Sequence, residues 1–323
     1  MIHSFVFSEG KLVAQNLDID ALRVVRKDKG LVTWIDLDCP TEEESRQILE
    51  SMFGFHPLAI EDCLTKSELP KLEDYEDHLF MVVHAVDLLP QQKFQTVELN
   101  LFVGRDFVVT YHLEQIRPLQ IMQEKMGKHY FSFVRGADRV AHIVLDGLID
   151  HYKPITDQLS LELEQLEVII LEPEDEASSM QRILEMRKKL SELRRIVSPQ
   201  REVIYRLTRG ENKLIRPHLI PYYRDLLDHL NRVEQTITSY TERLMVDFDV
   251  YINRTAHQAN EGIKVLTSIT ALTLPPMVIG SWYGMNFRHM PELDEPHSYW
   301  IAMGVMAASI IGMWIWLKRK KWV

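Results

Sequence analysis

Near its C-terminal end the chain holds two stretches without a charge, residues 265–283 and 298–317, of 19 and 20 residues. At about 1.5 Å of rise per helical residue, each reaches roughly 30 Å, the thickness of a bilayer's hydrocarbon core. A chain built this way is expected to cross a membrane twice and to turn at Gly284-Met285-Asn286. Lys318-Arg319-Lys320-Lys321 follows the second stretch, while Arg254 and Lys264 precede the first. The segment between them carries Arg288 against Glu292, Asp294 and Glu295. The positive-inside rule then places both termini in the cytoplasm and only the short loop outside.

Charge narrows the partners of the remainder. Six Lys/Arg less four Asp/Glu give residues 261–323 a balance of +2; with −10 overall, residues 1–260 carry −12. Such an acidic region does not suit nucleic acid or an anionic lipid surface, and it attracts cations. Cys39 and Cys63 form no C-x-x-C and neither has a His at metal-ligand spacing in the sequence, so both are expected to be reduced structural residues. The N-terminus shows no signal-peptide pattern.

Residues 1–137 read as an α/β domain. Segments 31–37, 79–86, 97–103 and 107–112 have strand character, the last two joined as a hairpin through Gly104-Arg105-Asp106. Thr41 with Glu44 predicts a capping box opening a helix toward Phe53. Residues 138–216 read as a helical hairpin. Apolar residues from Val140 to Ile170 keep one helical face, Pro173 breaks it, and a second charged helix runs from about 175 to 207. Segment 217–283 reads as a stalk helix continuing into the first span. From Tyr222 the next proline is Pro275, so a single helix of about 60 residues, on the order of 90 Å, is expected. A loop at 284–297, a second span at 298–317 and a basic tail at 318–323 complete the chain. The fold class is thus α+β with a membrane part.

Steps of three and four along the long helix collect Asp249, Asn253, Ala256, Asn260, Ile263, Thr267, Thr270, Leu274, Met277, Ser281 and Gly284 on one stripe. Its polar neutral groups fit either a pore shared by several copies or a packing face of small and hydroxyl residues. Asn260 and Asp249, at the cytoplasmic end, favour the pore. Amide and hydroxyl oxygens suit a hard cation, and Mg²⁺ keeps its waters, so a neutral lining would touch a hydrated ion. With no Walker-type phosphate loop, transport is expected to be passive.

The Gly284-Met285-Asn286 motif, extended by Tyr283, Phe287 and Met290-Pro291-Glu292-Leu293, resembles the CorA family of magnesium transport proteins. Lys318-Arg319-Lys320-Lys321-Trp322 fits the same family. So do Trp34-Ile35-Asp36-Leu37 and Phe55-His-Pro-Leu-Ala-Ile-Glu-Asp62. The resemblance covers essentially the whole chain. It implies a funnel-shaped homopentamer in the cell's inner membrane, with the first span lining the pore and Gly284, Met285 and Asn286 selecting a hydrated ion. Asn260 becomes an inner polar ring, Leu266 and Leu274 hydrophobic gate positions, and Asp249 an acidic ring. Leu266 lies off the stripe. Mg²⁺ bound between neighbouring cytoplasmic domains is implied to close the channel, with Asp225 as one ligand and Asp87 as the candidate partner acid. Met277 narrows the expected path, and Met285 implies the magnesium branch of the family, with Co²⁺ and Ni²⁺ left open as further cargo.

Three other readings differ in class or cargo. A related transporter would move Zn²⁺ or Co²⁺. A membrane-anchored enzyme would need a motif such as H-E-x-x-H, G-x-S-x-G or a phosphate loop, and none occurs; His112, His129, His142 and His151 are scattered and read as packing or surface residues. A coiled-coil tether has no use for Asn and Thr along a span. The expectation is therefore a transporter and not an enzyme, with no organic cofactor.

Overall fold

The computed structural model describes residues 1–28, 30–66, 69–89, 93–125, 134–171, 176–286, 290 and 296–322. In order, the elements are β1 (Ile2–Ser8), β2 (Lys11–Gln15), α1 (Ile19–Val25), β3 (Leu31–Asp38), α2 (Glu42–Ser45) running into a π-helical turn (Arg46–Met52), and α3 (Pro57–Leu64). Then come β4 (Lys71–Asp74), β5 (Leu79–Leu89), β6 (Lys93–Val103), β7 (Phe107–His112) and α4 (Arg117–Glu124). Helices α5 (Ala137–Asp150), α6 (Tyr152–Leu171), α7 (Glu176–Thr208), α8 (Ile220–Tyr283) and α9 (Ser298–Arg319) follow. The chain divides into two compact units, Met1–Met245 and Val246–Val323.

In the first unit the strands form one sheet in the order β2-β1-β3-β7-β6-β5-β4. The expected hairpin is present: β6 and β7 pair antiparallel about Gly104–Asp106. A Cβ on Gly104 would meet the Phe107 ring at 2.2 Å, so this turn needs glycine for space. Strands β3 and β7 are parallel, with Asp38 opposite His112, so their C-terminal ends meet at one sheet edge. Strand β7 is buried along its whole length, as a central strand covered on both faces should be.

Alternation sends one set of side chains to each face. Ile35, Leu37, Phe80, Val82, Phe102, Phe107, Val109 and Tyr111 pack under α1, the π-helical turn and α3. There Phe55 stacks on Phe102 with centroids 4.0 Å apart. Helix α5 covers the other face, touching β3, β5, β6 and β7. The capping box is formed: the Glu44 amide donates to Thr41 Oγ1 at 3.2 Å and the Thr41 amide to Glu44 Oε2 at 2.8 Å. Strand β4 pairs only with residues 79–82 of β5. Beyond it the exposed β5 edge is taken over by helices: the His84 amide donates to Gln200 Oε1 at 2.8 Å, and Tyr152 Oη donates to the His84 carbonyl at 3.0 Å. This cover keeps an open strand edge from pairing elsewhere.

The helical region differs from the expectation in one respect. The apolar face continues from Val140 to Ile170, but the helix divides at His151. Pro154 is the cause: it has no N–H for the Asp150 carbonyl, so α5 ends there. His151 caps it, its amide donating to the Leu148 carbonyl at 3.3 Å. The expected break at Pro173 lies outside the described residues. Helices α6 and α7 lie antiparallel, with Lys189 Nζ 2.6 Å from Glu162 Oε2 and with Ile169 and Arg182 lining the same groove. The part of α8 between Glu234 and Arg243 is tied to these helices. Arg243 grips Glu167 with two nitrogens, and Glu234 receives Arg201 at 3.0 Å and Ser198 at 2.6 Å.

His142 on α5 is buried against Tyr222 and Tyr223, both edge-on to its ring. Burial and then the nearby Arg139 lower its pKa from 6.5 to about 4. In the unfolded chain it takes up a proton near pH 6.5, in the native chain only near pH 4. The native state therefore holds this contribution above about pH 6.5 and loses it as pH falls toward about 4. We expect His142→Phe to flatten that part of the stability–pH curve. Melting temperatures of both chains across the window check it; parallel curves would remove His142 as a contributor.

In the second unit, α8 runs through Pro275 and Pro276 without a break. These prolines withdraw partners from the Ala271 and Leu272 carbonyls, which a membrane helix tolerates. Helices α8 and α9 are both long and apolar enough to cross a membrane, and only 6% of each apolar window is buried. Tyr299 and Trp300 sit at the start of α9, ring to ring at 5.5 Å, where an aromatic belt belongs. At its other end Lys318 lies 5.0 Å from the Trp314 ring centroid, and with Arg319 it favours the helix's negative pole.

Candidate ion path and metal-binding side chains

Each helical residue turns about 100°, so a stripe of alternating steps of three and four drifts by only about 20° every seven residues and stays on one side of α8 within the span. All of its positions are exposed in the chain: Asp249, Asn253, Ala256, Asn260, Ile263, Thr267, Thr270, Leu274, Met277, Ser281 and Gly284. The covered positions lie on another flank: Ser268 is buried, and Lys264, Ala271, Leu272, Pro275, Pro276 and Ile279 are half-buried. Near the end of the helix that flank forms a groove shared with α9, lined by Ile279, Gly280, Tyr283, Tyr299, Ala302 and Met303. Leu266 is exposed and stands off the polar stripe, on the side away from the groove. The Thr270 hydroxyl donates to the Leu266 carbonyl at 2.9 Å, which satisfies its hydrogen and leaves oxygen lone pairs facing outward. A surface of this kind can accept hydrogen bonds from an ion's water shell.

Helix α8 closes at the Gly-Met-Asn segment. The Gly284 amide donates to the Gly280 carbonyl at 3.0 Å, and the Met285 amide to Trp282 at 3.3 Å. A Cβ on Gly284 would stand 3.2 Å from the Gly280 oxygen, tighter than side chains ordinarily accept. Glycine thus lets the chain leave the helix, and Met285 and Asn286 are exposed beyond it. Phe287, Arg288, and Pro291 to Glu295 lie outside the described residues.

The two expected regulatory acids stand on different elements. Asp225 is exposed on α8, its carboxylate 3.8 Å from His229 Nε2. His229 Nδ1 lies 3.7 Å from Asp150, and burial followed by the Asp150 charge raises the pKa of the neighbouring Asp146. Asp87 is half-buried on β5, opposite Gln95. The chain alone gathers Asp87 and Asp225 into no common group of metal-capable side chains among the described residues. The carboxylates about His229 are oxygen donors of the kind a hard divalent ion takes.

One cluster was not legible in the spacing of the cysteines. Parallel pairing of β3 with β7 brings Asp38, Cys39 and His112 together, with donor atoms within 4.8 Å of one another. Cys39, which has no histidine at metal-ligand spacing along the sequence, has one beside it in the fold. Its thiol is pushed up by burial and then by the adjacent Asp38 carboxylate, and it donates to the Leu113 carbonyl at 3.4 Å. His112 lies with Nε2 3.4 Å from Asp36 and Nδ1 3.6 Å from Asp38. Burial lowers its pKa, but Asp36 overcomes this and the net shift is upward. The signal that could have found the cluster is the matching of two apolar, β-branched runs, 31–37 followed directly by Asp38 and Cys39, and 107–112 ending in His112.

Comparison with known proteins covers nearly the whole chain. A family model described as CorA-like Mg²⁺ transporter protein matches residues 29–319. The chain is 31% identical over 310 residues to the cobalt/magnesium transport protein CorA of Thermotoga maritima, covering 92% of this chain and 85% of that protein. It is 30% identical over 289 residues to the putative metal ion transporter YfjQ of Bacillus subtilis, covering 90% and 89%. Its fold matches the complete structure of the CorA magnesium transporter from Methanocaldococcus jannaschii with a TM-score of 0.84 at 22% identity, over 100% and 99% of the two chains. The family match spans residues 29–319, nearly the whole chain, and the fold agrees with it: the chain belongs to the CorA-like Mg²⁺ transporter family.

Proposed function

We propose that this chain is a passive, membrane-potential-driven channel that takes up hydrated Mg²⁺, with Co²⁺ and Ni²⁺ as further cargo. Relatives bear the names cobalt/magnesium transport protein and putative metal ion transporter, which supports a divalent metal cargo. The observation that carries the channel reading is the stripe on α8, exposed at every position although part of it lies in an apolar span. One chain with two spans cannot enclose a path, so several copies, five by the family resemblance, would turn their stripes to a common axis. Gly284, Met285 and Asn286 then form the outer mouth, and Thr267, Thr270 and Ser281 contact the ion's waters. Asn260 rings the inner end, with Asp249 beyond it. Ile263, Leu274 and Met277 line the path between them, and Leu266 and Leu274 are the hydrophobic gate positions. A divalent ion entering down roughly 100 mV gains about 4.6 kcal/mol, which needs no nucleotide.

In this reading segments 1–137, 138–216 and the start of 217–283 are cytoplasmic, both termini face the cytoplasm, and the protein sits in the cell's inner membrane. Cytosolic Mg²⁺ held by Asp225 and by Asp87 of a neighbouring subunit closes the path. Flux into liposomes of the purified chain, with Mg²⁺, Co²⁺, Zn²⁺ and Ni²⁺ compared side by side, tests both statements. Mg²⁺ should enter in proportion to an imposed inside-negative potential and stop as Mg²⁺ on the cytosolic side rises, and Asp225→Lys should blunt that stop. Flux of Zn²⁺ with none of Mg²⁺ would replace the cargo, and unchanged closure in Asp225→Lys would remove Asp225 from the sensor.

A further inference from the structure

Strands β3 and β7 end side by side, and the residues at their ends differ in kind from the oxygen-rich lining of α8. Asp38 and Cys39 follow one another in sequence, so an extended strand would send their side chains to opposite faces. Cys39 instead has φ of 45°, in the left-handed region that L residues seldom adopt. That turn brings thiol, carboxylate and imidazole donors within 4.8 Å of one another.

The Asp38 side chain is nine-tenths buried. Its Oδ1 has no hydrogen-bond partner and lies 3.6 Å from His112 Nδ1. Two donors on one tetrahedral ion with bonds of about 2.0–2.1 Å stand roughly 3.3 Å apart, so this spacing needs little adjustment to hold a shared ion. Nδ1 would exchange its 2.8 Å contact with the Glu114 carbonyl for the metal.

The far side of the imidazole is equally built. His112 Nε2 faces Asp36 Oδ1 at 3.4 Å. Asp36 is itself held by Thr110 Oγ1 at 2.5 Å and Gln123 Nε2 at 2.6 Å, and Trp34 Nε1 donates to Thr110 at 3.0 Å. A carboxylate fixed behind a ligating histidine sets the ring's orientation and tautomer. Asp38 and His112 are buried while Cys39 is exposed, which leaves one open side for ion entry and for a water as fourth ligand.

We propose that Asp38, Cys39 and His112 form a binding site for a borderline transition-metal ion, Zn²⁺ or Co²⁺, in the α/β unit and separate from the transport path. Sulfur, nitrogen and oxygen donors in one tetrahedral set favour these ions, whereas Mg²⁺ asks for six oxygens in an octahedron. Binding releases the thiol proton to solvent as the thiolate bonds the metal. The site does not rest on the transport reading, and its test uses no flux.

The experiment is a Co²⁺ titration of the full chain in detergent after chelator treatment, read by the near-ultraviolet thiolate-to-cobalt charge-transfer band. The expected result is a band saturating at one Co²⁺ per chain, displaced by Zn²⁺ and untouched by excess Mg²⁺. It should vanish in Cys39→Ser, persist in Cys63→Ser, and need about tenfold or more Co²⁺ in Asp38→Asn. A second measurement on the unsubstituted chain guards against a misfolded variant: bound Zn²⁺ should protect Cys39 from alkylation, as located by mass spectrometry. No charge-transfer band, a band that survives Cys39→Ser, removal by Mg²⁺, or unchanged alkylation of Cys39 would each overturn the site.

Discussion

Asn286→Ala is expected to abolish Mg²⁺ uptake while the chain still inserts in the membrane and assembles. Asn286 stands exposed just past the end of α8, and that helix end is closed by the backbone bonds of Gly284 and Met285. Removing its amide takes away a donor and acceptor at the proposed mouth without opening a core. Flux should fall to the level of protein-free liposomes, and the oligomer should elute unchanged in detergent. Mg²⁺ entry at the unsubstituted rate would detach this residue from ion selection.

A comparable effect on stability is expected at Arg216→Met. Asp138 opens α5 and is 2% exposed. Arg216 reaches it with Nε at 2.7 Å and Nη2 at 2.6 Å, and a third nitrogen, Nη1, donates to the Arg135 carbonyl at 3.0 Å. The pair joins the start of α5 to the turn before α8. Removing one partner of a buried pair strands a charge and costs about 3–5 kcal/mol. The amides of Arg216 and Arg139 still donate to Asp138, at 3.0 and 2.9 Å, which argues for the lower end, about 3 kcal/mol. Hydrogen exchange at the α5 amides in the full chain measures the local loss. A change below about 1 kcal/mol, the worth of a surface pair, would contradict the account.

Much of the architecture was legible in the sequence because it rests on local rules. Uncharged runs of bilayer length, a capping box at Thr41 and Glu44, and a proline-free run from Tyr222 to Leu274 each act within a few turns of chain. The structure has α8 and α9 over those runs and the box formed at α2. The division at His151 was obscured because the apolar spacing carries on across it, although Pro154 marks it. The short strands β1, β2 and β4 carry little periodicity, and their pairing is decided by distant partners. The same holds for the Asp38–Cys39–His112 cluster: 73 residues separate Cys39 from His112 in the numbering, and only the parallel register joins them. Side chains at the ends of non-local strand pairs are invisible to spacing rules, whereas a stripe along one helix is not.

The stripe is also what the account depends on most. In a chain with Cys39→Ser and Cys63→Ser, single cysteines at Thr270 and at Ile269 separate its two possible directions. Both positions are exposed in the chain, and they point about 100° apart on the helix. The measurement is Mg²⁺ flux into liposomes before and after a water-borne, membrane-impermeant thiol reagent. The account predicts block at Thr270→Cys and undiminished flux at Ile269→Cys. Block at Ile269→Cys with Thr270→Cys unaffected would turn the stripe away from the ion path and contradict it.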